Sequence, residues 1–356
     1  MKKTFIIAEA GVNHNGSLKL AMRLVDAAVQ AGADAIKFQT YKTENLVTRS
    51  ARQAIYQKKN IGKHSTQFEM LKELELDYSQ FLILKKYCDK QNILFMSTPF
   101  DLVSVDFLIK DLSLKMIKVP SGEITNAPYL YRIASLGVKN IILSTGMSTI
   151  EEIHNALAFL AYGFSLKSNP TYSKVKEFYQ TNEAKEILKN RISILHCTTE
   201  YPAPFNEINL GAIDVIRDTF NLEVGLSDHS EGILVPIAAV SKGSTIIEKH
   251  FTLDKSLPGP DHKASLNPEE LKEMIDSIRI IEVAIGKKVK QPTKTESKNK
   301  EIVRKSLVAA KKIKKGELFT FDNLTVKRPG FGKEPYYFWD YIGRAAEKDY
   351  EEDEVI

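Results

Sequence analysis

Residues 5–39 read FIIAEAGVNHNGSLKLAMRLVDAAVQAGADAIKFQ, and this stretch sets the pattern for most of the chain. Two short apolar runs, 5–10 and 35–39, predict buried strands. Between them, apolar residues from Leu18 to Val29 recur at spacings of three and four, which predicts one buried face of a helix. Because a helix between two buried strands lets them pair in parallel, the stretch predicts a right-handed β-α-β unit.

The same alternation of apolar runs and amphipathic stretches continues to about residue 286. Eight strands are the number that closes a β/α barrel, so we predict an α/β fold with a (β/α)8 TIM barrel over residues 1–286. An open doubly wound sheet is the alternative, but no GxGxxG motif follows the first strand to support it. The predicted strands are residues 5–10, 35–39, 93–97, 116–120, 140–144, 192–196, 223–226 and 245–250.

Four segments fall outside this alternation. Residues 43–76 predict a long polar loop after the second strand, and residues 164–190 enlarge the connection before the sixth. Each is either a cover for the barrel mouth or a plain surface insertion. Residues 287–305, rich in Lys, Ser and Thr, predict a linker. Residues 306–356 predict a small, mostly β second domain, with short β-like runs at 307–309, 318–320 and 324–327.

The composition of the 356-residue chain excludes several classes of protein. With 43% hydrophobic and 27% charged residues, the chain is globular rather than disordered. Its 50 Lys and Arg against 45 Asp and Glu give a net charge of +5, which suits an anionic substrate but is too small to indicate nucleic-acid binding. No apolar run approaches the ~18 residues of a membrane span, and we identify no signal peptide. Because Cys88 and Cys197 form no CxxC pair, we expect a cytoplasmic protein.

Polar residues stand at the C-terminal ends of nearly all the predicted strands, although strands buried on both faces should be apolar there. In β/α barrels that end forms the active site. Lys37 and Lys118 each stand alone among hydrophobic residues, and Ser121 and Ser144 lie close to glycines whose backbone can approach an anion. These four residues predict a phosphate site; alternatively, one of the lysines is a Schiff-base amine. The full series is Glu9, Lys37, Gln39, Ser97, Thr98, Lys118, Ser121, Glu123, Ser144, His196, Asp228, His229, Glu248 and His250.

Two histidines, His196 and His229, end the sixth and seventh predicted strands. Because neighbouring parallel strands end side by side, we expect the two imidazoles to converge on one divalent metal such as Mn²⁺, Fe²⁺ or Zn²⁺. Asp228 or Glu123 would supply an oxygen ligand, and Glu9 and Glu123 are candidates for proton transfer.

The motifs at these strand ends resemble the bacterial sialic acid synthase family, whose second domain is an antifreeze-like (SAF) domain. The resemblance covers essentially the whole chain in the family's order, which makes it specific. It departs in the insertion 164–190 and at 333–337, where KEPYY replaces an expected Gly-Ile-Ser-Pro-like turn, and both departures leave the exact sugar open. The matching runs are IAEAGVNHNG (7–16), KFQTY (37–41), STPFD (97–101), KVPSGEITN (118–126), LSTGM (143–147), HCTTEYPAPF (196–205), GLSDH (225–229), EKHFT (248–252), GPDHKASL (259–266), IKKGE (313–317) and VKRPG (326–330).

The family condenses phosphoenolpyruvate with an N-acetylated amino sugar, with cleavage of the C–O bond to phosphate. The resemblance therefore implies a metal-dependent synthase that forms a carbon–carbon bond. It also implies a role for particular residues: phosphoenolpyruvate binding for Lys37, Lys118, Ser121 and Ser144, binding of Mn²⁺ or Mg²⁺ for His196 and His229, proton transfer for Glu9, a place beside the metal and the sugar for Glu123, a place lining the metal site for Gln39, and sugar binding for Arg328.

The resemblance further implies a domain-swapped homodimer, in which the small domain of one subunit brings Arg328 to the barrel of the other. The expected sugar is N-acetylmannosamine, which gives N-acetylneuraminate. The alternative is a 2,4-diacetamido-trideoxy hexose, which gives N,N'-diacetyllegionaminate. Two other interpretations stay open: a metal-free Schiff-base aldolase that uses Lys37, Lys118 or Lys249, and a carbohydrate-binding or ice-binding protein built on the small domain.

Overall fold

The first of two compact units, Met1–Gly286, is a (β/α)8 barrel, which confirms the predicted fold class. The computed structural model describes residues 3–61 and 66–356. The barrel strands are β1 (Phe5–Gly11), β2 (Ala35–Thr40), β3 (Leu94–Pro99), β4 (Met116–Val119), β5 (Asn140–Ser144), β6 (Ile192–Cys197), β7 (Glu223–Asp228) and β8 (Ile246–His250). All ladders are parallel, β1 pairs with both β2 and β8, and β3 lies beside β4, so the sheet curls round on itself.

Helices surround this sheet, and most begin at a side-chain cap. The longest, for example, has Asn267 as its N-cap, Pro268 in its first position and Glu270 closing a capping box. No helix in the described part of the chain is long and apolar enough to cross a membrane. The helices of this unit are α1 (Leu18–Ala31), α2 (Thr43–Leu46), α3 (Ile55–Ile61), α4 (Gln67–Leu74), α5 (Tyr78–Lys90), α6 (Leu102–Asp106), α7 (Ala127–Ser135), α8 (Ile150–Phe164), α9 (Tyr172–Tyr179), α10 (Asn182–Arg191), α11 (Ala212–Phe220), α12 (Leu234–Ser241) and α13 (Pro268–Ala284).

Both insertions contain helices, which the sequence patterns did not reveal. Residues 43–76, predicted to be a polar loop, hold α2, α3 and α4, and the insertion 164–190 holds α9 and most of α10. Residues 62–65 of the first insertion lie outside the described residues. These helices are short and bury few residues: α4 buries only Met70 and Leu74. Two buried residues are too few for an apolar period to stand out in the sequence.

The side chains that point into the barrel change from apolar to polar along the strands. An apolar layer is formed by Ile7, Ala35, Met96, Ile142, Leu195 and Ile246. Because successive side chains of a strand alternate between its two faces, the residue two positions further along each strand also points inward. That next layer lies at the C-terminal ends of the strands and contains Glu9, Lys37, Thr98, Ser144, Cys197 and Glu248.

The second unit, Lys287–Ile356, is a small β unit with its own core. Its antiparallel ladder joins β9 (Ser306–Ala309) to β10 (Leu324–Lys327). Where a strand was predicted at 318–320, the chain makes a single bridge between Leu318 and Ala345. The core is formed by Leu307, Ala309, Ile313, Phe319, Leu324, Ala346 and Tyr350.

This unit also contains two helices, α14 (Lys294–Val303) and α15 (Phe338–Tyr341). Helix α14 occupies much of the segment 287–305, which was predicted to be a linker. A capping box of Thr293 and Glu296 starts this helix, and none of its residues is buried. Lysine-rich helices without an apolar face resemble linkers in composition, which accounts for the difference.

Candidate active site

A cavity of about 290 Å³ opens at the C-terminal ends of the barrel strands. The polar layer forms its floor, and residues that follow the strands complete its wall. Of the nine barrel residues that the sequence indicated as site residues, seven line this cavity, whereas Glu123 and His196 do not. The seven are Glu9, Lys37, Gln39, Lys118, Ser121, Ser144 and His229.

Two lysines and two glutamates form a buried ion network on the cavity floor. Lys37 Nζ lies 2.7 Å from Glu9 Oε2 and 3.8 Å from Glu248 Oε2, and Lys118 Nζ lies 3.0 Å from Glu248 Oε1. All four side chains are 5% exposed or less. Burying each ion costs several kcal/mol, and pairing offsets this cost only in part. Such a network therefore points to a function beyond folding. Its charges balance, so a bound anion would favour a proton on one of the carboxylates.

The two glutamates of this network have very different pKa values. Burial raises the pKa of Glu9 to about 7, which attraction to Lys37 counteracts only in part. Burial would also raise the pKa of Glu248, but Lys118 and Lys37 together lower it to about 2. Glu9 is therefore the carboxyl group of this network that can gain or lose a proton near neutral pH.

The raised pKa of Glu9 predicts how stability depends on pH. Between about pH 4.5 and pH 7 the folded protein keeps a proton on Glu9 that the unfolded chain has released. The free energy of unfolding therefore falls as pH rises through this window, by an amount of order 3 kcal/mol from Glu9. Urea denaturation at several pH values should show a shallower fall for Glu9→Gln. Burial also raises the pKa of Asp261, to about 6, and this residue is the same in the unaltered protein and in Glu9→Gln. If the free energy of unfolding falls equally with pH in both proteins, Glu9 is not the titrating group.

Hydroxyl groups line another part of the same cavity. Ser121 Oγ accepts a 2.9 Å hydrogen bond from Gly146 N, and a Cβ at Gly146 would collide with Thr199 Oγ1. Ser144 Oγ and Thr199 Oγ1 are buried and have no hydrogen-bond partner among the described residues. Buried donors without a partner, in one cavity with two lysines, suit the oxygens of a phosphate or a carboxylate.

Two histidines meet where β7 and β8 reach the cavity. The ring centroids of His229 and His250 are 5.4 Å apart. His229 Nδ1 donates a 2.7 Å hydrogen bond to Thr198 O, so Nε2 of the neutral ring is the nitrogen that can accept. His250 Nδ1 is buried, and no described residue is its partner. The two rings therefore offer nitrogen ligands of the kind that divalent transition metals bind.

This histidine pair fits a divalent cation whose remaining ligands come from substrate or water. Among the described residues, no group of three or more His, Cys, Asp or Glu side chains is placed to hold a metal ion. A cation at His229 and His250 would therefore take further ligands from substrate or water, as a catalytic metal does. Glu9 and Gln39 lie close to His250, because all three side chains surround Gly11. A Cβ added at Gly11 would lie 3.3 Å from His250 Cε1, 3.3 Å from Glu9 Oε1 and 3.4 Å from Gln39 Nε2.

His196 does not join His229, so the predicted metal pair is not assembled in this structure. His196 Nε2 lies 2.6 Å from Ile208 O, and His196 lines an adjoining cleft that shares Met147, Cys197 and Thr199 with the cavity. The residues on either side of it, Leu195 and Cys197, belong to the two inward-facing layers. Because side chains alternate along β6, His196 must point out of the barrel.

Glu123 also lies apart from the cavity lining. Its carboxylate accepts a 2.6 Å hydrogen bond from Asn126 Nδ2, at the N-cap of α7, and burial raises its pKa. Arg328 is an exposed residue of the second unit, directly after β10. The roles of Glu123 beside a metal and of Arg328 at the sugar therefore stay predictions.

Glu248 and His250 belong to the polar series at the strand ends, but neither was among the predicted site residues. The alternation along β8 could have identified them, because Ile246 is apolar and Glu248 and His250 follow on the same face. Lys249 then falls on the other face, where it is fully buried and pairs with Asp228 at 2.5 Å. Lys249 is therefore not placed to act as a Schiff-base amine in this cavity.

Comparisons with known proteins agree with this architecture. The NeuB family matches residues 24–290, and the SAF domain matches residues 304–356. An N,N'-diacetyllegionaminic acid synthase of Campylobacter jejuni is 50% identical over 356 residues, which are 100% of this chain and 99% of that protein. An N,N'-diacetyllegionaminic acid synthase of Legionella pneumophila is 44% identical over 339 residues, 95% of this chain and 89% of that protein.

A solved structure extends the agreement to three dimensions. The N-acetylneuraminic acid (sialic acid) synthetase of Leptospira borgpetersenii superimposes with a TM-score of 0.67 at 32% identity, covering 84% of this chain and 90% of that one. The family matches cover both the barrel and the small β unit. The Campylobacter jejuni and Legionella pneumophila relatives are both named as synthases. The chain is therefore an enzyme of the NeuB family with a C-terminal SAF domain.

Proposed function

We propose that the enzyme condenses phosphoenolpyruvate with a 2,4-diacetamido-trideoxy hexose to give N,N'-diacetyllegionaminate and phosphate. The observation that carries this choice is the 50% identity, over the full length, to an N,N'-diacetyllegionaminic acid synthase. N-acetylmannosamine, the sugar expected first, is less well supported, because the N-acetylneuraminic acid synthetase is only 32% identical. A cytoplasmic location remains a prediction.

The cavity floor has the groups that phosphoenolpyruvate binding requires. Lys37 and Lys118 would contact its phosphate and carboxylate groups, with the hydroxyls of Ser121 and Ser144 as further donors. Both lysines already pair with glutamates, so the arrival of an anion favours the protonated form of Glu9. Glu9 would then hold a proton beside the reacting atoms.

In the proposed reaction, C3 of phosphoenolpyruvate bonds to the aldehyde carbon of the sugar, water adds to C2, and the bond from C2 to the phosphate oxygen breaks. Glu9 would give its proton to the aldehyde oxygen and regain one from the water that adds to C2. The second proton of that water would leave with the phosphate when the bond from C2 to the phosphate oxygen breaks. Carboxylates on the floor would stabilise positive charge that develops at C2. His229 and His250 would hold a divalent cation, Mn²⁺ or Mg²⁺, which would supply Lewis acidity towards the aldehyde oxygen.

The proposed sugar can be tested by phosphate release from phosphoenolpyruvate in the presence of Mn²⁺. We expect kcat/KM for the 2,4-diacetamido sugar to exceed that for N-acetylmannosamine by at least roughly tenfold, because one substituent changes kcat/KM by about that factor. Assays with each sugar alone and with both in competition should give the same order. A larger kcat/KM for N-acetylmannosamine would restore that sugar as the substrate.

We also propose that the active enzyme is a homodimer in which the SAF domains are exchanged between subunits. In its support, the second unit leaves Tyr336 85% and Trp339 73% exposed, and covering such aromatic rings is favourable. The test mixes the variants Arg328→Ala and Lys118→Met under conditions that allow subunits to exchange. If the domains are exchanged, one active site of a mixed dimer carries both substitutions and the other carries neither. A mixed dimer would then recover up to about half the activity of the unaltered dimer. No recovery after verified exchange would contradict the arrangement.

A further inference from the structure

The outer wall of the active-site cavity differs in chemistry from its floor. The insertion 43–76 builds this wall, whereas the floor carries the ion network and the histidine pair. Within the described part of the insertion, every residue that lines the cavity is apolar or a neutral amide. These residues are Leu46, Val47, Gln57, Gln67, Met70, Leu71 and Leu74.

This wall is attached to the barrel at two places. Tyr41 Oη, just beyond β2, donates a 3.1 Å hydrogen bond to Leu71 O, and Met70 packs in one buried cluster with Tyr41. Asn60 Nδ2 in α3 donates a 2.7 Å hydrogen bond to Pro260 O, which belongs to the loop after β8 and also lines the cavity. These two contacts give the wall a defined position relative to the floor.

The proposed reaction fixes which end of the sugar meets this wall. The aldehyde carbon C1 must reach phosphoenolpyruvate on the floor, beside Lys37 and Lys118. The other end of the sugar, C4 to C6, then points towards the mouth of the cavity, where the insertion lies. The two candidate sugars differ at that end: the 2,4-diacetamido sugar has an acetamido group at C4 and a methyl group at C6, and N-acetylmannosamine has hydroxyl groups at both.

We propose that the insertion 43–76 selects the sugar by contacting its C4 and C6 substituents; this inference rests on the function proposed above. Val47 and Leu71 contact the methyl groups at C6 and on the acetamido group, and the amides of Gln57 and Gln67 are hydrogen-bond partners for the acetamido group at C4. A hydroxyl group moved from water to an apolar wall loses hydrogen bonds, whereas a methyl group gains by burial. The wall therefore favours the 2,4-diacetamido sugar.

The test measures kcat/KM for both sugars in variants of the wall. Leu71→Gln keeps the side-chain size and the helical propensity but adds an amide, and Val47→Thr keeps the shape and adds a hydroxyl. The matched control is Leu82→Gln, because Leu82 in α5 is 41% exposed and lies outside the cavity lining. For each variant we divide kcat/KM for the 2,4-diacetamido sugar by kcat/KM for N-acetylmannosamine. We expect this ratio to fall about tenfold in Leu71→Gln and severalfold in Val47→Thr. The ratio should not change in Leu82→Gln.

The possible results separate this inference from the proposed function. If Leu71→Gln and Val47→Thr lower kcat/KM for both sugars by the same factor, the wall does not read the substituents and the inference is overturned. If Leu71→Gln fails to fold, as thermal denaturation will show, Val47→Thr decides the question. If the unaltered enzyme releases no phosphate from phosphoenolpyruvate with either sugar, the proposed function itself is overturned.

Discussion

Alanine in place of His229 or His250 is expected to abolish Mn²⁺ binding and to lower kcat/KM by at least roughly a thousandfold. Removing a residue that only supports a metal ligand already costs about 10- to 100-fold, so losing one of two ligands should cost more. The two rings lie 5.4 Å apart, and Thr198 O orients His229 so that Nε2 is free for a cation. Free Mn²⁺ can be followed by electron paramagnetic resonance in a titration without substrate, which separates binding from turnover.

His196→Ala is the matched control for this experiment. His196 also stands at a strand end, but its ring contacts Ile208 O outside the cavity. We therefore expect this variant to keep its Mn²⁺ affinity and its kcat/KM within about threefold, as for a substitution away from the site. If Mn²⁺ binding is lost in His196→Ala but kept in His250→Ala, the metal is held by His196 and His229, as the sequence predicted, and not by His229 and His250.

The choice between these histidines shows what a barrel sequence can and cannot reveal. The position of His196 at the end of β6 was predictable, because the apolar run from Ile192 is clear. The direction of its side chain was not. Strands covered on both faces are apolar at successive positions, so the pattern does not mark which face is inward. Only pairing within the closed sheet shows that Leu195 and Cys197 share the interior and that His196 does not.

The lysines of the ion network were easier to predict than the glutamate that pairs with Lys118. A lone lysine in a buried strand is costly, so Lys37 and Lys118 stood out from the sequence alone. Their partner Glu248 lies 130 positions beyond Lys118, and nothing local to either residue indicates the 3.0 Å contact between them. The apolar wall of the insertion 43–76 was hidden for a related reason, because its helices are short and their cavity-facing residues are few.

Lys118→Met is expected to lower kcat/KM for phosphoenolpyruvate by roughly 30- to 4,000-fold and to destabilise the fold by about 3–5 kcal/mol. Lys118 is the closest cation to Glu248, at 3.0 Å, and Lys37 lies 3.8 Å from the same carboxylate. The variant therefore loses a cation for the substrate and leaves Glu248 poorly paired in a buried site. Steady-state kinetics at varied phosphoenolpyruvate and urea denaturation measure the two effects separately.

Lys249→Met is the control for the loss of stability, because Lys249 is equally buried and pairs with Asp228 outside the cavity. We expect a similar loss of stability in this variant with little change in kcat/KM. The double variant Lys118→Met/Glu248→Gln then separates the two roles of Lys118. Removing the stranded carboxylate should recover most of the lost stability, since the unpaired charge is the main cost, but it cannot restore the cation that binds phosphoenolpyruvate.

The same variants decide between the synthase and the Schiff-base aldolase. A Schiff base needs an unprotonated lysine, and borohydride would then trap the substrate covalently on Lys37 or Lys118. Both amines lie within 3.0 Å of a glutamate oxygen, and such a contact favours the charged form, which binds anions and is not nucleophilic. Burial opposes the charge on both amines: Glu248 and Glu9 still raise the pKa of Lys37, whereas burial lowers the pKa of Lys118. Because each amine is paired with a carboxylate, we assign both to anion binding. We therefore expect no increase in protein mass after treatment with borohydride, phosphoenolpyruvate and sugar. A stoichiometric adduct that disappears in Lys118→Met would identify Lys118 as a nucleophile and replace its proposed role in binding phosphate.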